Sequence, residues 1–309
     1  MNRRGRAAFL AASFFYWISQ YVFVPTLPEY VRLRTAGLAA VGVVLSMYGL
    51  WQAIVRIPLG VAVDKTGWGK RFIIIGFAIG SVGTMVLAFG ESQGVLTLGR
   101  ALDGIAAGTW VPLVVVFSGL FPPREAVIAT SLLTFSGSLG RMIATSLTGF
   151  LNNIGGFGLS FYVGAGAGIV AIVIVASTKT AKQDTREVST SSILAVFKRP
   201  DVLLPSIIAT VAQFGNWAVT YGFMSILAAQ IGANGVIQGL LVSANILAMT
   251  IGNLFNTSAT RRMSRTVLLY WSFLIFVAGI GIFAFGHSIP LFFLATMLMG
   301  LSNGFSYPT

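Results

Sequence analysis

Four charged side chains fall well inside long apolar stretches, away from their ends, where charge is costly: Arg56, Arg100, Asp103 and Arg141. A charge at the centre of a membrane helix costs about 2.5–3.5 kcal/mol on insertion scales and marks a functional position by default. Arg100 and Asp103 are three residues apart, so a helix brings them to one face, where they can pair and offset part of that cost. A carboxylate in this setting can carry a coupling proton, with the arginine tuning it; the pair can equally be a structural one that fixes packing. Arg141 has no acid within reach on its own helix. It must face a water-filled cavity, an anionic substrate or an acid from elsewhere, Asp103 among them. Arg56 lies about two turns from the end of its stretch and can snorkel to the surface.

Other chemistries have little to draw on. The 309 residues include no cysteine and one histidine, His287. Thiolate metal sites, cysteine nucleophiles and Ser-His-Asp triads are therefore not expected, nor is any metal or cofactor. The Gly164-Ala-Gly-Ala-Gly168 run lies within an apolar stretch, where small residues let helices approach; it is no nucleotide loop.

The elements that must position these charges are membrane helices. The chain is 56% hydrophobic and 9% charged, with a mean hydropathy of +0.86. A soluble domain carries about 25% charged residues, so too few are present to cover a globule, and a soluble enzyme is excluded. About 20 apolar residues cross a hydrocarbon core of ~30 Å. Ten stretches qualify: 7–31, 38–63, 71–90, 95–121, 126–151, 158–177, 202–229, 235–258, 266–286 and 290–309. If they alternate, 15 Lys and Arg fall on the side of the N-terminus and only Arg32 and Arg34 on the other. The asymmetry predicts a cytoplasmic N-terminus. It also accounts for the net charge of +12, leaving no basic face for nucleic acid.

An internal repeat organises the stretches. Gly104, Gly108 and Pro112 match Gly300, Gly304 and Pro308, each pair 196 positions apart, and Gly42 and Ser46 match Gly239 and Ser243 at 197. The offset spans an even number of helices, so the halves share one orientation. The expected fold is an all-α membrane protein of two parallel-repeat six-helix bundles, here with about ten helices. The N-terminal bundle is 1–177, a cytoplasmic linker 178–200, and a four-helix C-terminal bundle 201–309. By the repeat, the sequence reads as C-terminally truncated by about two helices. Residues 189–197 are expected to form a short helix on the membrane surface.

Two motifs carry a family resemblance. Gly60-Val-Ala-Val-Asp64-Lys65-Thr-Gly67-Trp-Gly-Lys70-Arg71 resembles the loop signature G-x-x-x-D-[RK]-x-G-[RK]-[RK] of the major facilitator superfamily, with Trp68-Gly69 displacing the basic pair. Leu96-x-x-x-Arg100-x-x-Asp103-Gly104-x-Ala106 resembles the superfamily's fourth-helix motif, with Asp103 where Gln is usual. The Gly-Pro that drug antiporters of the family carry on the fifth helix is absent from the Leu139–Gly149 stretch.

The resemblance implies a secondary transporter working by alternating access, proton-coupled, in the plasma membrane of a bacterial-type cell. Export of amphipathic or drug-like molecules is the first reading; uptake or exchange of an anionic metabolite through Arg100 and Arg141 is the second. A non-transporting sensor on the same scaffold is the rival from another class. The resemblance assigns Gly60, Asp64, Lys65, Gly67, Lys70 and Arg71 to a conformational latch and bears on Arg100 and Asp103 for proton coupling; Arg141 joins them as a charge within the membrane by its place in the fifth stretch. Matching the first and seventh stretches pairs Tyr16 with Gln213, Ser19 with Asn216 and Gln20 with Trp217. Tyr16, Gln20, Gln213, Asn216, Trp217 and Asn303 are the expected substrate-cavity residues. The expected partners are a small-molecule substrate, protons and the lipid bilayer, without nucleic acid, and the chain is expected to act as a monomer.

Overall fold

Proline and glycine decide where the apolar stretches stop being single helices. A computed structural model describes residues 3–178, 185 and 199–306, and among them all regular structure is helical. The linker's Lys179, Lys182, Arg186 and Lys198, the 189–197 segment and Pro308-Thr309 lie outside the described residues. The first stretch is α1 (Arg3–Tyr21), a 3₁₀ turn at Val24–Thr26, and α2 (Leu27–Arg32). Pro25 and Pro28 lack the N–H that a continuous helix needs. Next come α3 (Gly37–Thr66) and α4 (Gly69–Ala88). The fourth stretch is α5 (Gln93–Ala107) and α6 (Trp110–Ser118); Pro112 cannot donate to Gly108, and the break falls at that turn.

The fifth and sixth stretches are two helices that meet at a sharp turn at Gly155-Gly156 with no loop between them, and the pair is labelled together as α7 (Ala126–Ser177). For this reason nine rather than ten continuous segments among the described residues are long and apolar enough to cross a membrane. Gly156 has φ +65° and ψ −175°, a conformation essentially reserved for glycine. A Cβ there would touch nothing within 4 Å, so the constraint is backbone torsion alone. Gly156→Ala is expected to cost about 1–3 kcal/mol, read as a lowered thermal midpoint in detergent.

The rest is α8 (Pro200–Asn216), a π-helical turn at Trp217–Phe223, α9 (Met224–Gln230), α10 (Gly235–Arg262), α11 (Arg265–Phe285) and α12 (Ile289–Ser306). α7 packs along α1 and α4, and α5 packs on α3 and α4. α12 packs on α10 and α11, and α7 against α10 joins this second set to the first.

One helix-pair contact occurs twice. A Cβ on Gly104 would lie 2.5 Å from the Tyr48 carbonyl oxygen, and one on Gly300 would lie 2.2 Å from that of Asn245. A turn later, Gly108 faces Val55 and Gly304 faces Gly252. Partners and glycines alike are separated by 196 or 197 positions, the register of the sequence repeat. The repeated glycines are therefore the sites where α5 meets α3 and α12 meets α10 with backbones in contact.

Candidate functional site

The two helix sets meet at one end of the molecule, the end bearing α2. Ser225 Oγ donates to the Pro25 carbonyl. Gln238 Nε2 donates to Glu29 Oε2 at 2.9 Å. Thr145 and Ser243 hydroxyls lie 2.7 Å apart, and Ser146 Oγ donates to Ser243 Oγ at 2.9 Å. Glycine permits this approach: a Cβ on Gly149 would lie 2.1 Å from the Val236 nitrogen, and one on Gly239 2.4 Å from the Thr145 carbonyl oxygen. Toward the Asp64 end, no hydrogen bond or ion pair joins the sets among the described residues, and in α8 only Asn216 is buried.

Directly beneath that seam lie the buried charges. Arg100 and Asp103 are 3% and 0% exposed, and Nη1 lies 3.5 Å from Oδ2. The pairing read from their spacing is thus present. Thr84 Oγ1 donates to Asp103 Oδ1 at 3.5 Å. On its other side, the Arg100 guanidinium sits 4.2 Å from the Tyr48 ring centroid. Tyr48 stacks on Trp217 at 5.2 Å, Trp217 meets Tyr221 at 4.7 Å, and Tyr221 meets Tyr21 at 5.8 Å. Tyr21 packs edge-on to Trp17, and the Arg141 guanidinium lies over Trp17 at 4.7 Å and Tyr21 at 5.7 Å. An arc of aromatic rings therefore crosses from the first helix set to the second and back, with an arginine of the first set at each end. Cation–π contacts of this kind contribute about 0.5–2 kcal/mol. Arg141 makes no pair with Asp103; its one hydrogen bond among the described residues runs from Nη2 to Ser138 Oγ at 3.2 Å, and Nε has no partner.

The other expected cavity residues are distributed unevenly. Trp217 belongs to the arc. Tyr16 donates to the Ala106 carbonyl at 3.0 Å and stacks on Phe77 at 4.6 Å, tying α1 to α5 and α4. Gln20 is 1% exposed and its Oε1 has no partner among the described residues. Asn216 Oδ1 accepts from Thr220 Oγ1, Asn303 Nδ2 donates to the Met299 carbonyl within its own helix, and Gln213 is half-buried.

The Gly60–Arg71 segment is a helix–turn–helix. Gly67 (φ +66°) ends α3 in the left-handed cap that favours glycine, its N–H donating to Val63 O. A Cβ on Gly60 would meet only Val111, at 3.7 Å. Asp64 is half-buried and makes no side-chain hydrogen bond or ion pair among the described residues. Lys65 is exposed, and Arg71 stacks 4.6 Å over Trp68, one of the two extra residues. Lys70 Nζ donates to the Ala176 carbonyl at 3.0 Å and to that of Thr178, holding the carboxyl end of α7. A cation suits that helix end.

Sequence reading missed Trp17, Tyr21, Tyr48, Tyr221 and Ser243. One signal for four rings was present: Trp-x-x-x-Tyr occurs at 17–21 and again at 217–221, 200 positions apart. Pairing Gln20 with Trp217 used a register three residues shorter. The π-helical turn at Trp217–Phe223 alters the phase of these rings; such turns are frequent at functional sites.

Known proteins were compared with this geometry in view. A profile described as Major Facilitator Superfamily matches residues 9–309. Multidrug resistance protein 2 of Bacillus subtilis (strain 168) is 23% identical, over 84% of this chain and 68% of its own length. Inner membrane transport protein YajR of Escherichia coli (strain K12) is 34% identical over 29% of this chain; the match spans 20% of YajR. The crystal structure of a bacterial homologue of the human lysosomal transporter Spinster, inward-facing and unoccupied, superposes with a TM-score of 0.76 at 15% identity, covering 99% of this chain and 75% of that one.

Proposed function

We infer that this chain, which belongs to the Major Facilitator Superfamily, carries small organic molecules across a membrane by alternating access. Its family is one of transporters rather than enzymes. The observation that carries the reading is the asymmetry of the seam: the helix sets touch at the α2 end and at mid-depth through hydrogen bonds and stacked rings, with no counterpart at the Asp64 end among the hydrogen bonds and ion pairs of the described residues. Two like-built lobes that rock about a central site need such a seam at one end at a time. With the N-terminus in the cytoplasm, as the positive charges indicate, the closed end is outward and the arc opens inward. Asp64 then lacks a partner among the described residues because the latch of Gly60, Asp64, Lys65, Gly67 and Arg71 engages only when the cytoplasmic end closes. Lys70 belongs instead to the anchoring of α7.

Export of amphipathic molecules is the direction we favour. Aromatic surface recognises ring-bearing solutes without demanding one shape, and a relative similar over most of the chain is named for multidrug resistance. The cytoplasmic membrane is the proposed location, in keeping with the name of YajR. Asp103 is the proposed proton carrier, with Arg100 as its counter-charge.

Vesicles containing the protein, with an imposed proton gradient and a fluorescent amphipathic dye, test this. Dye movement is expected to stop when a protonophore collapses the gradient. Dye binding without gradient-driven movement would replace the transporter with a sensor. Asp103→Asn is expected to lose uphill transport by at least about tenfold while retaining exchange down a dye gradient, because an amide fills the space but carries no transferable proton. Equal loss of both modes would make Asp103 a packing residue.

A further inference from the structure

Of the two cations that end the arc, Arg141 is the one with no carboxylate partner among the described residues. Asp103 pairs with Arg100, and Glu29 is held by Gln238 in the seam. Four residues along α7 from Arg141, Thr145 forms the seam with Ser243 and also donates to the Arg141 carbonyl at 3.0 Å. Arg141 therefore lies one helical turn beneath the closed end. Its Nε and the neighbouring Trp17 Nε1 are buried and without partners among the described residues, while the faces of Trp17 and Tyr21 flank its guanidinium.

An unneutralised planar cation beside unused donors suits a planar anion, which accepts two parallel N–H bonds from guanidinium. The adjoining rings suit an apolar, flat body. We propose that Arg141 holds the carboxylate of a water-soluble organic anion whose ring packs beside the Trp17–Tyr21 pair. The inference rests on the transport reading above and narrows its substrate class: Arg100, already paired, takes no direct part in binding the anion.

The test uses the purified full chain in zwitterionic phosphatidylcholine nanodiscs and three isosteric probes: 1-naphthoate, 1-naphthamide and 1-naphthylmethylammonium. Binding is read by tryptophan quenching and by thermal shift. Naphthoate is expected to bind about tenfold or more tighter than naphthamide, and the ammonium weakest, from one charge-assisted contact. Arg141→Gln is expected to weaken naphthoate about tenfold and leave naphthamide within about twofold; Arg141→Lys, which keeps the charge without the fork, falls between. Equal affinity for naphthoate and naphthamide in the native protein overturns the proposal, as does no binding by any probe at millimolar concentration, and neither result depends on a variant folding. An unchanged naphthoate preference in Arg141→Gln also overturns it. Adding phosphatidylglycerol to the discs is expected to leave the naphthoate affinity unchanged; competition would transfer the site to a lipid headgroup and overturn the soluble anion. A naphthoate preference without gradient-driven flux removes the transport reading and leaves this site standing. Dye flux without the preference does the reverse.

Discussion

Replacing Gly149 with leucine is expected to abolish transport, by well over tenfold, in a protein that still folds. A Cβ at Gly149 would lie 2.1 Å from the Val236 nitrogen and 2.3 Å from the Gly235 carbonyl carbon, all main-chain atoms of the opposing lobe. Overpacking a core costs about 1–3 kcal/mol when side chains can shift aside. Here no side chain stands in the way, so repacking offers no relief and the lobes must part. The contact lies between lobes, so each lobe keeps its internal packing and the thermal midpoint should fall little. Accessibility gives the direct readout. The chain has no cysteine, so a single Ser243→Cys needs no background removal. Ser243 is 6% exposed in the seam. A membrane-impermeant maleimide added outside should leave Ser243→Cys unlabelled in the native background and label it in Gly149→Leu. Native transport together with an unlabelled cysteine would show that closure does not need a glycine at 149.

Gly149 also shows what was legible in the sequence and what was not. Hydropathy located every apolar stretch, because membrane solvation acts on composition summed over about 20 residues. The repeat located Gly104 and Gly300 as equivalent, and the structure presses each against a partner carbonyl at the matching register. The Arg100–Asp103 pair followed from helical spacing alone. Hydropathy is blind to azimuth, however: in lipid, an outward leucine and an inward one are equally apolar, so the period that reveals a buried face in water is weak here. The facing of Gly149, Gly239 and Ser243 toward the other lobe was therefore hidden. Trp217 was read as a cavity residue, but its stacking partner Tyr48 lies 169 positions away, and no local pattern links them. The turn between the fifth and sixth stretches, by contrast, was legible. Asn152 to Gly158 reads as a break by its small and polar residues, and the torsions of Gly155 and Gly156 turn the chain there while helical bonding resumes on either side.

The second large effect separates the stability of the Arg100–Asp103 pair from its use. Arg100→Met is expected to destabilise the protein by about 3–5 kcal/mol, because it leaves the Asp103 carboxylate, 0% exposed, with only a 3.5 Å contact from Thr84. Arg100 also gives up its place over the Tyr48 ring, which weakens one end of the arc that bridges the lobes. Replacing both members, Arg100→Met with Asp103→Leu, should restore stability to near the native value, since desolvating two charges costs about as much as their attraction returns. Thermal midpoints of the two variants in one detergent measure this. A single variant as stable as the native protein would mean that the 3.5 Å contact contributes nothing. A double variant as unstable as the single would mean that the loss came from packing around Tyr48 rather than from an orphaned charge. If the double variant recovers stability and still fails to move dye against its gradient, the ion pair is retained for the protonation of Asp103 and not for the fold. Its placement beneath a seam that must open and close then has a physical reason: a charge that appears or vanishes beside Tyr48 and Trp217 acts where the two lobes meet.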